Sequence, residues 1–81
     1  MDDAQVLRRL NDLAEEEERL YAHGGQQGGL DSAEQDRLRR IEVELDQCYD
    51  LLAQRRARRA AGLDPDEATI RPDDVVERYQ Q

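Results

Sequence analysis

Leu38, Ile41, Leu45, Cys48 and Leu52 follow one another in alternating steps of three and four along the middle of this 81-residue chain. Only an α-helix brings such positions onto one line, because its 3.6-residue turn returns every third or fourth side chain to the same face. A second stripe, Val6, Leu10, Leu13 and Leu20, precedes it and keeps the same steps when Glu17 is counted in register. Two amphipathic helices, each hydrophobic along one line, have to bury those lines against something.

Between the stripes lies His23-Gly24-Gly25-Gln26-Gln27-Gly28-Gly29. Glycine is costly inside a helix, and the spacing predicts that Gly24 caps a first helix over residues 3–22. Asp2 and Asp3 suit the positive end of that helix. Leu30-Asp31-Ser32-Ala33-Glu34 opens the second, with Asp31 as N-cap and Glu34 three residues into the capping box. This helix should span residues 32–61 and stop at Gly62.

A connector over residues 23–30 favours an antiparallel hairpin. Folding the chain about it sets Leu13 opposite Ile41, Leu10 opposite Leu45, and Val6 opposite Cys48 and Tyr49. Two independently read stripes then match layer by layer. The expected fold is all-α: a coiled-coil-like antiparallel two-helix hairpin over residues 1–62. An acidic segment follows over residues 63–81, with a turn opened by Asp64-Pro65 and a short helix at about 72–79. Helix one runs short of helix two, so Arg55, Arg56, Arg58 and Arg59 should lie on an overhang. Leu7, Ala14, Tyr21, Tyr49 and Leu51 flank the seam, which favours pairing of hairpins into a four-helix assembly.

Composition narrows the function classes. Twenty acidic residues face twelve basic ones, all arginine, for a net charge of −8, which argues against general nucleic-acid affinity. With no Trp, no Phe and three Tyr, an isolated core would be thin, and a partner or self-association would strengthen it. One cysteine allows no internal disulfide. The start of the chain carries no basic-then-apolar leader pattern, and no apolar run reaches membrane-spanning length. A soluble cytoplasmic protein is the expectation, with no membrane contact.

The sequence offers no catalytic constellation. Cys48 has acidic neighbours, Asp46 and Asp50, which oppose thiolate formation, so it reads as a small seam residue. The sole histidine, His23, has no Cys or His partner for zinc, and the glycine-rich connector lacks the strand and the Gly-Lys-Ser/Thr ending of a phosphate loop. The run Glu15-Glu16-Glu17-Glu18 has no Glu-x-x-His companion and reads as a solvated helix face. Glu17, the polar seam residue, should reach out toward Arg37 or Arg40, near Leu20 and Leu38. No cofactor, metal or small-molecule substrate is expected.

The pointed feature is the Arg55, Arg56, Arg58, Arg59 cluster with Tyr49 nearby, which forms a candidate partner-binding surface. Three neighbours are open to it: the acidic tail, an acidic protein partner, or phosphate. The leading reading is a non-enzymatic helical interaction or oligomerisation module, a homodimer or a chain docked on another protein. The alternative is a small regulator that contacts nucleic acid through Arg55 to Arg59.

Leu45-Asp46-Gln47-Cys48-Tyr49-Asp50-Leu51-Leu52, Gln54-Arg55-Arg56-Ala57-Arg58-Arg59 and Gly62-Leu63-Asp64-Pro65-Asp66 together resemble a family of small actinobacterial proteins of unknown function. The likeness covers nearly the whole chain. It implies a helical, cytoplasmic unit and supplies no catalytic residue.

Overall fold

In the computed structural model, residues 1–72 are described; residues 73–81 lie outside the described residues, and with them all but the first residue of the helix expected at about 72–79. Two helices make up the fold. Helix α1 covers Asp3–Gln27 and α2 covers Ser32–Ala60. No strand occurs among the described residues, and the two helices pack as an all-α hairpin.

Both helices begin with a full capping box. Asp2 accepts from the Gln5 backbone N–H at 2.8 Å while the Gln5 side chain accepts from the Asp2 N–H at 2.9 Å. Asp31 and Glu34 repeat the exchange at 2.8 and 3.0 Å, as the sequence predicts. The boxes satisfy backbone donors that a helix start would otherwise leave open.

The end of α1 departs from expectation. The helix runs on through Gly24 and Gly25 and stops at Gly28, whose left-handed φ of 77° provides the cap. Each interior glycine costs a helix only about 1 kcal/mol, which tertiary contacts override. Those contacts are visible at Gly24: a Cβ there would lie 2.9 Å from Leu30 Cδ2, so the missing side chain is what lets Leu30 fold back over the helix. His23 Nε2 sits 2.9 Å from Glu34 Oε2 and clasps the same end. The connector therefore shrinks from residues 23–30 to 28–31.

Helix α2 ends in a Schellman motif. Leu63 N–H donates to Arg58 O at 2.8 Å and Gly62 N–H to Arg59 O at 3.1 Å, with Gly62 at a φ of 75°. Asp64 then caps a 3₁₀ turn over Pro65–Glu67 by accepting from the Asp66 N–H at 2.9 Å.

The helices meet in the register that the stripes predict. Arg9 pairs with Glu44 at 2.5 Å and Arg37 with Glu16 at 2.6 Å, which fixes an antiparallel alignment. Glu16, not Glu17, is the acid that meets Arg37. In the seam Val6, Leu10, Leu13, Ile41, Cys48 and Leu51 are buried, with Leu20, Leu45, Leu52 and Ala68 packed against them. Leu38 is half-buried beside Leu20 in the sequence-predicted seam. Leu51, expected as an open flank, is only 4% exposed. It lies beside Gln47 and Gln54 on the side of α2 that the chain beyond the 3₁₀ turn covers.

Candidate functional site

Three surfaces of the hairpin bear polar or apolar groups that a partner would meet. The arginine cluster is the first, and it is not an overhang. Asp3, at the first turn of α1, reaches across to both Arg55 and Arg59, so helix one covers helix two almost to its end. Arg55 is buried at 4% exposure; its Nε donates to Asp3 Oδ1 at 2.5 Å, and its Nη1 donates to Pro65 O at 3.1 Å and Asp66 Oδ1 at 3.0 Å. Arg59 donates twice to Asp3, at 3.1 and 2.9 Å, and Arg58 lies 3.4 Å from Glu67.

These contacts neutralise the cluster. The guanidiniums of Arg59 and then Arg55 hold the Asp3 carboxyl below the usual carboxylate range, and Asp3 and Asp66 in turn raise Arg55. Arg56 is exposed and makes no ion pair among the described residues. Of the sequence-predicted set, then, Arg55, Arg58 and Arg59 serve the fold, while Arg56 and Tyr49, 59% exposed, face outward.

The second surface was not anticipated. Past the 3₁₀ turn the chain runs back along α2 as an extended strap. Gln54 Nε2 donates to Thr69 O at 2.8 Å and to Asp50 Oδ2 at 2.9 Å, and Gln47 Nε2 donates to Arg71 O at 3.2 Å. Arg71 grips Asp50 with both Nε, at 2.8 Å, and Nη2. The Asp50 carboxyl is buried, and the Arg71 guanidinium, helped by the Gln54 amide, holds it below the ordinary carboxylate range against the cost of burial. Gln47, Asp50 and Gln54 stand three and four residues apart, so one line of α2 supplies every latch. That polar spacing is the signal present in the sequence.

The third surface is the flank on the far side of the seam from the Arg9–Glu44 and Arg37–Glu16 rungs. Leu7, Ala14 and Tyr21 lie seven residues apart along α1, and Tyr21 Oη donates to Glu42 Oε1 at 3.2 Å. Glu42 raises the Tyr21 phenol above its ordinary value. This pair sets the α1 line beside Glu42, Tyr49 and Arg56 of α2, again seven apart. Leu7, Tyr21 and Tyr49 are each more than half exposed.

Two depressions lie among the described residues. A shallow open groove of about 480 Å³ is lined by Asp36, Arg39, Arg40, Val43 and Glu44 of α2. A smaller one of about 110 Å³ is formed by Met1, Arg9, Glu44, Gln47, Cys48 and Ile70. Cys48 is 6% exposed, and burial, with Glu44 nearby, pushes its thiol up, the direction opposite to an activated nucleophile. Among the described residues, no group of three His, Cys, Asp or Glu is placed to hold a metal ion, and no helix is long and apolar enough to cross a membrane.

Comparison with known proteins agrees with the resemblance seen in the sequence. The uncharacterized protein Rv0898c of Mycobacterium tuberculosis (strain H37Rv) is 53% identical over 77 residues, covering 95% of this chain and 88% of the relative. The uncharacterized protein Mb0922c of Mycobacterium bovis matches to the same extent. No solved structure matches significantly. The model of a protein family of unknown function, DUF2630, matches residues 2–81, and the chain belongs to that family.

Proposed function

We propose that this protein is a non-enzymatic helical interaction module, cytoplasmic, that self-associates through the flank of Leu7, Ala14, Tyr21 and Tyr49. The observation that carries this reading is the exposure of Leu7, Tyr21 and Tyr49, at 51%, 56% and 59%, along two adjacent helix lines. Aromatic and aliphatic side chains gathered on one face gain by leaving water, and tyrosines are enriched at interface cores. The opposite side of the seam is already bridged by ion pairs. Two hairpins apposed by this flank about a twofold axis would form a four-helix assembly, with each copy offering the same patch.

The nucleic-acid alternative needs the four arginines as a shared patch. Three of them are committed to Asp3, Asp66 and Glu67, which leaves Arg56 for phosphate. That arrangement favours the protein-interaction reading.

Size-exclusion chromatography with light scattering tests the proposal. The unmodified chain should elute at twice its 9.4 kDa mass, and Leu7→Glu with Tyr49→Glu should reduce it to a monomer of unchanged helicity. A strict monomer of the unmodified chain overturns self-association.

A further inference from the structure

Glu42, Tyr49 and Arg56 stand seven residues apart on one exposed line of α2, so an acid and a base lie about 10.5 Å on either side of a tyrosine. The line is polarised. Asp46, half-buried between Glu42 and Tyr49, adds a second acid to one half, and exposed Ala53, between Tyr49 and Arg56, leaves the other half open to a close approach. Arg39, at the acidic end, is paired with Asp36 at 2.9 Å. Within the hairpin both charges have capacity to spare. Glu42 accepts one hydrogen bond, from Tyr21 Oη at 3.2 Å, and Arg56 makes no ion pair among the described residues.

A twofold axis through the flank presents each copy with its own image, and the charges decide where that axis stands. An axis along the helices keeps every residue level with itself, which sets Glu42 beside the partner's Glu42. An axis across the helices at Ala14, the middle of the Leu7, Ala14 and Tyr21 line, does the same, because Ala14 and Glu42 both fall between the Arg9–Glu44 and Arg37–Glu16 rungs. An axis across the helices at Tyr49 exchanges unlike charges instead. It carries Glu42 onto the partner's Arg56 and Arg56 onto the partner's Glu42, and it brings Tyr49 and Leu7, both beyond the Arg9–Glu44 rung, against their own copies. Two ion pairs about 21 Å apart then bracket an apolar centre.

We propose that a second copy lies antiparallel on the flank about a twofold axis at Tyr49, so that Glu42 of each hairpin pairs with the partner's Arg56. The pairing rests on self-association through the flank and supplies its register. Tyr21, whose hydroxyl already donates to Glu42, steadies the carboxylate that receives the incoming guanidinium.

Two charge reversals and their combination, followed by sedimentation equilibrium, provide the test, with far-UV circular dichroism as the check on folding. Glu42→Arg and Arg56→Glu should each weaken the dimer about tenfold or more, since each turns both symmetric ion pairs into repulsions. Glu42→Arg combined with Arg56→Glu restores both pairs and should return the dissociation constant to within about threefold of the unmodified chain. Single reversals without effect, or a combination no tighter than either single variant, overturn the pairing; the flank itself still stands if Leu7→Glu with Tyr49→Glu gives a monomer. A strict monomer of the unmodified chain overturns both. Cross-linking reads the register directly. In a Cys48→Ala background, a short bismaleimide added to an equimolar mixture of Glu42→Cys and Arg56→Cys chains should yield chiefly the mixed dimer, whereas a product consisting chiefly of two linked Glu42→Cys chains overturns the axis at Tyr49.

Discussion

Replacing Asp50 by alanine should unlatch the strap and cost about 2 kcal/mol. The Asp50 side chain is 2% exposed and accepts two hydrogen bonds from Arg71 and one from Gln54. Bonds to a charged group are each worth about 1.5–3 kcal/mol, and breaking a fully buried ion pair costs about 3–5 kcal/mol. The upper figures do not apply, because the Arg71 side chain is 38% exposed and finds water once released. For a domain of this size, a loss of about 2 kcal/mol lowers Tm by roughly 8–16 °C.

The pH dependence gives an independent handle on the same contact. Asp50 titrates lower in the folded chain than in the unfolded one, because Arg71 favours its charged form. Its stabilisation is therefore complete above the unfolded value of about 3.9 and is lost as pH falls from there through the folded value. Asp50→Asn keeps the shape and removes the charge. The stability gap between the native chain and Asp50→Asn, followed by urea denaturation, should be constant near neutrality and shrink below about pH 4. A loss under about 0.5 kcal/mol for Asp50→Ala, typical of an unimportant surface site, would refute the latch, as would a gap that ignores acid.

Three further outcomes test the hairpin. Leu13→Ala, at a position 1% exposed in the seam, should cost about 3 kcal/mol by urea denaturation. Arg55→Ala should lower the denaturation midpoint clearly while Arg56→Ala leaves it in place, because Arg55 alone of the two is buried between Asp3 and Asp66; equal effects would contradict that geometry. Gly25→Ala, where an added Cβ meets nothing within 4 Å on a helical residue, should raise stability by about 0.5–1 kcal/mol. Gly28→Ala, at a φ of 77°, should lower it by about 1 kcal/mol, and thermal unfolding of the pair separates helix from cap.

The hairpin was legible because its determinants are local and periodic. Apolar spacing placed Leu13 with Ile41 and Leu10 with Leu45, and the Asp31 to Glu34 box marked a helix start that the structure shows atom for atom. The end of α1 was misread because glycine propensity is a weak prior, and what outweighs it at Gly24 is the close approach of Leu30, six residues away. The fate of the arginines was legible in part: the acidic tail, one of the three neighbours open to them, supplies Asp66 and Glu67. Their other ligand, Asp3, is more than fifty residues away in sequence, and whether it meets them depends on a fraction of a helical turn of register. The strap was harder still, since Thr69 and Arg71 contribute backbone carbonyls, which no side-chain pattern announces.

The residues that carry the family likeness can now be sorted by what they touch. Gln47, Asp50 and Gln54 hold the strap, Arg55 joins α1 to the turn, Asp64 caps that turn, and Asp66 meets Arg55. Cys48 and Leu51 are core, and Leu45 and Leu52 pack on it. A signature built from such residues specifies how the chain folds back on itself. Tyr49, Arg56 and Leu63 are large members that stay exposed, and Tyr49 and Arg56 face outward, seven residues apart on one line of α2 that adjoins Leu7 and Tyr21. A tyrosine 59% exposed inside an otherwise structural run adds little to the hairpin's own packing, which fits the interface role proposed for the flank. Tyr49→Ala should accordingly weaken self-association in light scattering and leave Tm unchanged at concentrations where both chains are monomeric, whereas a clear fall in the monomer's Tm would return Tyr49 to the fold and remove the centre of the proposed interface.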